Sequence, residues 1–328
     1  MSAPLLSIKD LSVQFHGGRT ANAINRISLE LPAGHVLGLL GESGSGKSVT
    51  LRTLLRLHSE HSTRISGSIE VDGVDVLAMQ GRALEQYRGG TVSMVFQEAG
   101  LAFDPVYTIG QQISEAIRAH RKISRQDAKA RALEMLEKVQ IPQAPRRYDA
   151  YPHELSGGMR QRAMIALALA CAPKLLLADE PTTALDATVQ IQILLLLRAL
   201  QQETGMSVIF VTHDIGAAVE MADTIAVMYA GRIVEQAAVA DIVERPCHPY
   251  TIGLLASTVK AGDRGQTLAA IPGVPPDLAA LPAGCAFAPR CSQAREHCRI
   301  EQPPLEQHGP SKVACWYPVA PPGQWPQT

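Results

Sequence analysis

One stretch, HVLGLLGESGSGKSVTLRTLLRLH at 35–58, constrains this chain more than any other. HVLGLL (35–40) is a continuous apolar run of the kind that forms a strand buried on both faces, and SVTLRTLLRLH (48–58) continues as a helix. Between them Gly41 to Ser48 reads GESGSGKS and fits the pattern GxxxxGK[ST] in its required strand, loop, helix order. Gly41, Gly44 and Gly46 allow close approach and unusual dihedrals. The backbone N–H groups from Gly41 through Glu42, Ser43, Gly44, Ser45 and Gly46, together with the helix N-terminus, can then surround a triphosphate. On this reading Lys47 reaches the outer phosphates and Ser48 the Mg²⁺.

A second component is LLLADEP (175–181), a buried strand ending in two adjacent carboxylates. Asp179 at its end can hold the Mg²⁺ shell, and Glu180 is then placed to polarise an attacking water; the plain alternative is that the pair caps the next helix. His213 ends the next strand in SVIFVTHD, where contact with a γ-phosphate and a structural role are both open.

Composition limits the partners. A net charge of −1, with 46% hydrophobic and 19% charged residues, is ordinary globular usage and argues against a sequence-wide nucleic-acid binder. The longest nearly apolar run, Ala163 to Ala172, stops at Pro173 and Lys174, well short of the roughly 20 residues a membrane span needs. MSAPLLSIKD lacks a secretory pattern, so the expected compartment is the cytosol.

Along the chain, 5–15 and 66–78 read as short antiparallel strands of a small β subdomain, and LLLAD, SVIFV and TIAVMY (224–229) as further core strands. Between about 98 and 172 the pattern is helical, with Ser124 and Asp127 as a capping-box start. MYAGRIVE (228–235) reads as a hairpin turning at Ala230-Gly231. From 246 onward lie 14 of the 22 prolines, and four of the six cysteines crowd into the last 45 residues, which predicts a separate loop-rich module too poor in apolar periodicity to stand by core burial alone.

LSGGMRQR at 155–162, before a long helix, is where the chain resembles the ATP-binding cassette (ABC) family. The physics agrees, since Ser156, Gly157 and Gly158 at a helix N-terminus offer a hydroxyl and bare N–H groups to an anion. The resemblance covers residues 5–240 and implies an α/β fold of the ABC-type P-loop NTPase class, with an antiparallel β subdomain, an inserted helical subdomain and a loop-rich C-terminal module. It implies an ATPase domain at 1–245 (helical part about 98–172) and a module at 246–328. It further implies that Phe15 stacks on adenine, that Gln97 senses Mg²⁺ and the attacking water, that Asp186 lies in a loop crossing between two cassettes, and that His213 is a switch histidine. Catalytic Glu180, His213 and Gln97 would thus act with Mg²⁺ held by Ser48, Gln97 and Asp179. The signature Leu155, Ser156, Gly157, Gly158 and Met159 would close over the ATP of a partner cassette; Met159 stands where glutamine is commoner.

A narrower resemblance, carried by FQEAGLAFDPVYTIGQQI (96–113), RPCHPYTIGLLAS (245–257), IPGVPPDL and AGCAFAPRC, is to ATPases of the dipeptide and oligopeptide importers, which also serve nickel, glutathione and other small solutes. It implies a heterodimer with a second ABC ATPase, two membrane permease subunits, a periplasmic or lipid-anchored solute-binding protein, a place on the cytoplasmic face of the inner membrane, and no nucleic acid. Segment 98–110 would grip a permease helix through residues such as Phe103 and Tyr107. Cys285, Cys291, Cys298 and Cys315 are spaced Cx5C, Cx6C and Cx16C. The resemblance implies a [4Fe–4S] cluster there; zinc, favoured elsewhere by tight CxxC pairs, and free or bridged thiols stay open. A soluble ABC ATPase of DNA repair or translation would carry coiled-coil insertions or paired cassettes, and a P-loop kinase gives no reason for the signature.

Overall fold

The computed structural model describes residues 3–183, 185–257 and 271–319. The chain divides into two compact units, one of residues 1–31, 36–77 and 212–328 and one of residues 32–35 and 78–211.

In the first unit β1 (Leu6–Phe15) pairs antiparallel with β2 (Ala21–Leu31) on one side and with β4 (Thr63–Val71) on the other, and β4 pairs with β5 (Val74–Asp75). The alternation in β1 buries Leu6, Ile8, Leu11 and Val13 almost completely. Its phase breaks at Asp10, which sits at φ 48° where the register with both neighbours shifts. Gly67 faces this bulge, and a Cβ there would lie 2.6 Å from the Asp10 carbonyl oxygen.

β3 (Val36–Leu40), fully buried, runs parallel to β9 (Thr224–Tyr229). β9 turns into β10 (Arg232–Ala238) through Ala230 and Gly231, both at positive φ as a two-residue hairpin loop requires. α1 (Lys47–Leu54) follows the glycine loop. The Pro- and Cys-rich segment expected to stand apart after 245 is, among its described residues, woven into this same unit. β12 (Ser311–Val313) pairs with β10, and β11 (Glu306–His308) pairs with β12, giving the order β11-β12-β10-β9-β3. Ser311 and Val313 are fully buried, so the tail gains its core by adding a strand rather than by building one of its own. It also carries α10 (Pro249–Ala256) and α11 (Glu296–Ile300), preceded in the chain by α8 (Ile215–Met221) and α9 (Val239–Glu244). The parts of the expected module at 258–270 and 320–328 lie outside the described residues.

The second unit holds three parallel strands in the order β8-β7-β6: β6 (Val92–Val95), β7 (Leu175–Asp179) and β8 (Ser207–Thr212). β7 and β8 are buried throughout, as their continuous apolar sequence requires. Around them are α2 (Gly81–Gly90), α3 (Ile109–His120), α4 (Arg125–Lys138), α5 (Ala144–Tyr148), α6 (Gly157–Leu169) and α7 (Ala187–Thr204). α4 buries Ala128, Ala132, Met135 and Leu136, one face at helical spacing. Ser124 caps it by accepting the Asp127 N–H, but the return bond of a capping box is replaced by a Ser124 Oγ to Asp127 Oδ2 bond of 2.7 Å. Among the described residues no helix is long and apolar enough to cross a membrane.

Candidate active site

The glycine loop lies in the first unit between β3 and α1, and its glycines are obligatory for measurable reasons. A Cβ on Gly41 would meet the Met228 carbonyl oxygen at 2.2 Å and Ser45 Oγ at 2.8 Å; on Gly46 (φ 104°) it would meet the Ala23 carbonyl oxygen at 2.6 Å. Gly44 (φ 78°) faces open space, so only its backbone conformation calls for glycine. The loop is therefore pressed onto β9 and β2 on one side and left bare on the other. Lys47 is buried, and its Nζ donates to the carbonyl oxygens of Gly41 (2.7 Å) and Glu42 (2.9 Å). The ammonium is held across the loop it belongs to, with Ser48 beside it as the first turn of α1 begins. Such an arrangement presents backbone donors and a fixed cation to phosphate oxygens.

Two further expected residues lie in this unit. Phe15 ends β1 half-buried, with its ring edge-to-face to His58 at 5.2 Å. Burial holds the His58 ring below its usual pKa. His213 is exposed immediately after β8, and Asp214 next to it caps α8.

The second unit carries the others. Asp179 is buried at the end of β7, and Glu180 follows at φ 45°, a left-handed conformation that is rare for a side chain of this kind. Its N–H donates to the Val211 carbonyl (3.0 Å), and its Oε2 accepts from Thr183 Oγ1 (2.9 Å). A strained residue fixed at a strand end by two hydrogen bonds is a recurrent property of functional positions. Gln97 is exposed just beyond β6. Leu155 is buried, while Ser156 caps α6 by accepting the Met159 N–H at 3.3 Å. Gly157 and Gly158 open that helix. A Cβ on Gly158 would press to 2.9 Å from Val189 Cγ1, so this glycine also serves the packing of α6 on α7. Asp186 caps α7 by accepting the Val189 N–H.

Sequence reasoning missed three residues around the phosphate loop. Tyr250, fully buried, accepts a hydrogen bond from the Glu42 N–H at 2.9 Å, and Arg290 grips the Glu42 carboxylate. Glu235, also fully buried, accepts from the N–H groups of Cys247 (2.7 Å) and His248 (2.9 Å), although burial pushes its pKa up. It thereby anchors the start of α10, where His248 Nδ1 accepts from the Tyr250 N–H. The segment His248-Pro249-Tyr250 was visible in the sequence; its contact with the loop was not.

Cys285, Cys291, Cys298 and Cys315 all line one small pocket of about 20 Å³ beside Phe287 and Trp316, and all are free thiols. Burial raises the thiols of Cys285 and Cys291 and pushes Cys315 up to about 11, the other three sulfurs adding to the last. The four sulfurs thus line the same pocket as an all-thiol set. Among the described residues, however, no three His, Cys, Asp or Glu side chains stand together closely enough to hold a metal ion. The expectation of an iron–sulfur cluster is not supported by the arrangement of these cysteines.

A strand, glycine loop and helix in one unit, with a strand-end carboxylate pair and a capped glycine signature in the other, define a P-loop ATPase. The family described as ABC transporter matches residues 24–183, and that described as Oligopeptide/dipeptide transporter, C-terminal region, matches residues 234–298. A protein of Brucella melitensis named as a peptide import ATP-binding protein is 49% identical over 97% of this chain and 98% of its own length. A Brucella abortus protein of the same description is 47% identical over 96% of this chain and 95% of its own. Among solved structures, the dimeric ATP-binding cassette MJ0796 in a post-hydrolysis state with ADP and Pi is 28% identical, with a TM-score of 0.64 over 71% of this chain and 98% of that one. The Clostridium perfringens cbiO1, part of the ABC transporter complex cbiONQ, is 25% identical, with a TM-score of 0.64 over 75% of this chain and 93% of that one. The chain belongs to the ATP-binding cassette family and is an ABC ATPase.

Proposed function

We propose that this chain is the ATP-hydrolysing subunit of an importer for dipeptides or oligopeptides, working at the cytoplasmic face of the inner membrane. The observation that carries this reading is its near full-length similarity, tail included, to proteins named for peptide import. Phe15 stacks on adenine, Gly41 to Ser48 cradle the triphosphate, and Mg²⁺ is held by Ser48 and Asp179 with Gln97. Glu180 takes the proton of the attacking water and His213 contacts the γ-phosphate. Leu155 to Met159 act on the ATP of a partner cassette, with Asp186 at the crossing. The partner is a second, non-identical ABC ATPase, because the Met159 form of the signature suits one of an unequal pair. Two permease subunits and a periplasmic or lipid-anchored binding protein complete the complex.

The test is uptake. In cells lacking this gene, labelled dipeptide uptake is expected to return with the wild-type chain, while labelled nickel uptake in the same cells stays unchanged. Restoration of nickel alone would move the solute assignment, and restoration of neither would turn it to another small solute or to a role outside transport.

Segment 98–110 is the surface through which coupling to the permease is proposed. Leu101, Val106 and Tyr107 are exposed, whereas Phe103, expected to dock on the permease, is 4% exposed and packs inward. The Gln112 amide fixes the loop by donating to the carbonyls of Asp104 and Tyr107 and accepting the Asp104 N–H. Three exposed apolar residues on a braced loop suit a helix from a membrane subunit. Tyr107→Ala combined with Val106→Ala is expected to cut uptake about tenfold or more, as for loss of an interface anchor, with ATP affinity unchanged. Parallel loss of both would reject the assignment.

Cys285, Cys291, Cys298 and Cys315 are the proposed ligands of a [4Fe–4S] cluster, which would lend the tail binding energy its own core does not supply. Anaerobically purified protein should contain iron and inorganic sulfide in equal amounts. Colourless, iron-free protein would end this part of the reading.

A further inference from the structure

We propose that Arg290 is a positioning residue for the phosphate loop: it neutralises Glu42 and holds that carboxylate away from the nucleotide, so that the C-terminal segment sets how well the loop binds ATP. The Arg290 guanidinium makes a two-pronged bond to Glu42, from one nitrogen to Oε2 at 2.6 Å and from the other to Oε1 at 3.0 Å. Its side chain is 5% exposed and that of Glu42 is 28% exposed. The third nitrogen donates to the Pro272 carbonyl at 2.8 Å, and the first also reaches Tyr229 Oη at 3.3 Å. Rings of Tyr229, Tyr250 and Phe287 meet one another at 4.6 to 5.3 Å around this pair. The arginine is therefore built into a closed setting.

Two features make this a matter of nucleotide binding rather than only of tail attachment. Glu42 is the second residue of the loop, its N–H is taken by Tyr250, and its carbonyl accepts Lys47 Nζ. The residue is thus tied to the tail by side chain and backbone while its carbonyl fixes the loop lysine. A carboxylate inside a triphosphate cradle also repels its ligand unless a cation offsets it. A bidentate arginine does this with fixed direction, which lysine cannot reproduce. Arg290 ends the short turn Ala288–Arg290, which Ala288 N–H to Cys285 O and Cys291 N–H to Ala288 O bonds splice between two pocket cysteines.

The proposal rests on Gly41 to Ser48 being the triphosphate cradle, and one experiment separates the two. Equilibrium binding of Mg-ATP to the full-length chain, and ATPase kinetics of the assembled complex, are measured for Arg290→Gln, Arg290→Lys, Lys47→Ala and the double variant Glu42→Gln/Arg290→Gln. Arg290→Gln is expected to raise Kd and KM for ATP about tenfold with kcat at saturating ATP within about twofold, the signature of lost ground-state binding. Arg290→Lys should recover part of that loss, and the double variant most of it, because the unpaired carboxylate is gone. Should Arg290→Gln fail to fold, Arg290→Lys against the double variant still reads the charge effect. An unchanged Kd, a fall in kcat alone, or a double variant no better than Arg290→Gln overturns the proposal. Insensitivity of ATP affinity to Lys47→Ala would instead overturn the cradle reading beneath it.

Discussion

Glu180→Gln is expected to lower ATP turnover in the assembled complex by about two to four orders of magnitude, the usual contribution of a positioned general base, while leaving ATP binding in place. Glu180 is held at φ 45° by its N–H bond to Val211 O and by the Thr183 hydroxyl on Oε2. Glutamine keeps the volume, the backbone conformation and an oxygen for Thr183, but it cannot take a proton from water. Bound ATP should then persist, and with it the closed pair of cassettes, visible as an ATP-dependent increase in mass on gel filtration of the two ATPases together. Glu180→Ala, which also loses the Thr183 bond, should be as inactive but less well trapped. Wild-type turnover by Glu180→Gln would exclude Glu180 as the base.

Much of this site is legible in the sequence because its demands are local. Gly41 and Gly46 are forced by backbone atoms at 2.2 to 2.6 Å, and a demand of that kind leaves a fixed spacing. The buried strands β3, β7 and β8 show as unbroken apolar runs for an equally local reason. β2 escaped notice because Arg26, at φ 53°, interrupts it and shifts the alternation of Ala23, Ile24, Ile27 and Leu29 out of phase. β12 is three residues long, too short for any period to show. Phe103 is read as a docking residue from the resemblance of segment 98–110 to the importer ATPases, and a resemblance of segment says nothing of a side chain that is in fact 4% exposed. Glu235 reads as an ordinary surface carboxylate until the N–H groups of Cys247 and His248 are seen to converge on it. Arg290 and Glu42 are 248 positions apart, and a pair so distant leaves no mark in one sequence.

Substitutions in the phosphate loop should separate steric from conformational need. Gly41→Ala is expected to weaken ATP binding by about 100-fold or more, since a loop displaced by an ångström forfeits that much in a positioned site. The added methyl cannot be absorbed by a rotamer change, because what it meets at 2.2 Å is the main-chain oxygen of Met228 in β9. Either the loop rises off the strand or the strand end yields, and in both cases Lys47 loses the Gly41 carbonyl that holds it. Gly44→Ala is the control. Its Cβ would point into open space, so the cost is only that of a side chain at φ 78°, about 1–2 kcal/mol. That corresponds to roughly five- to thirtyfold if all of it falls on the bound state, and to less if the free loop bears part of the strain. Calorimetric titration of Mg-ATP into each full-length variant decides the matter, with far-ultraviolet circular dichroism to show that both remain folded. Equal losses at the two positions would mean that the loop's seat on β9 is not what holds the phosphates, and that its backbone conformation alone sets affinity.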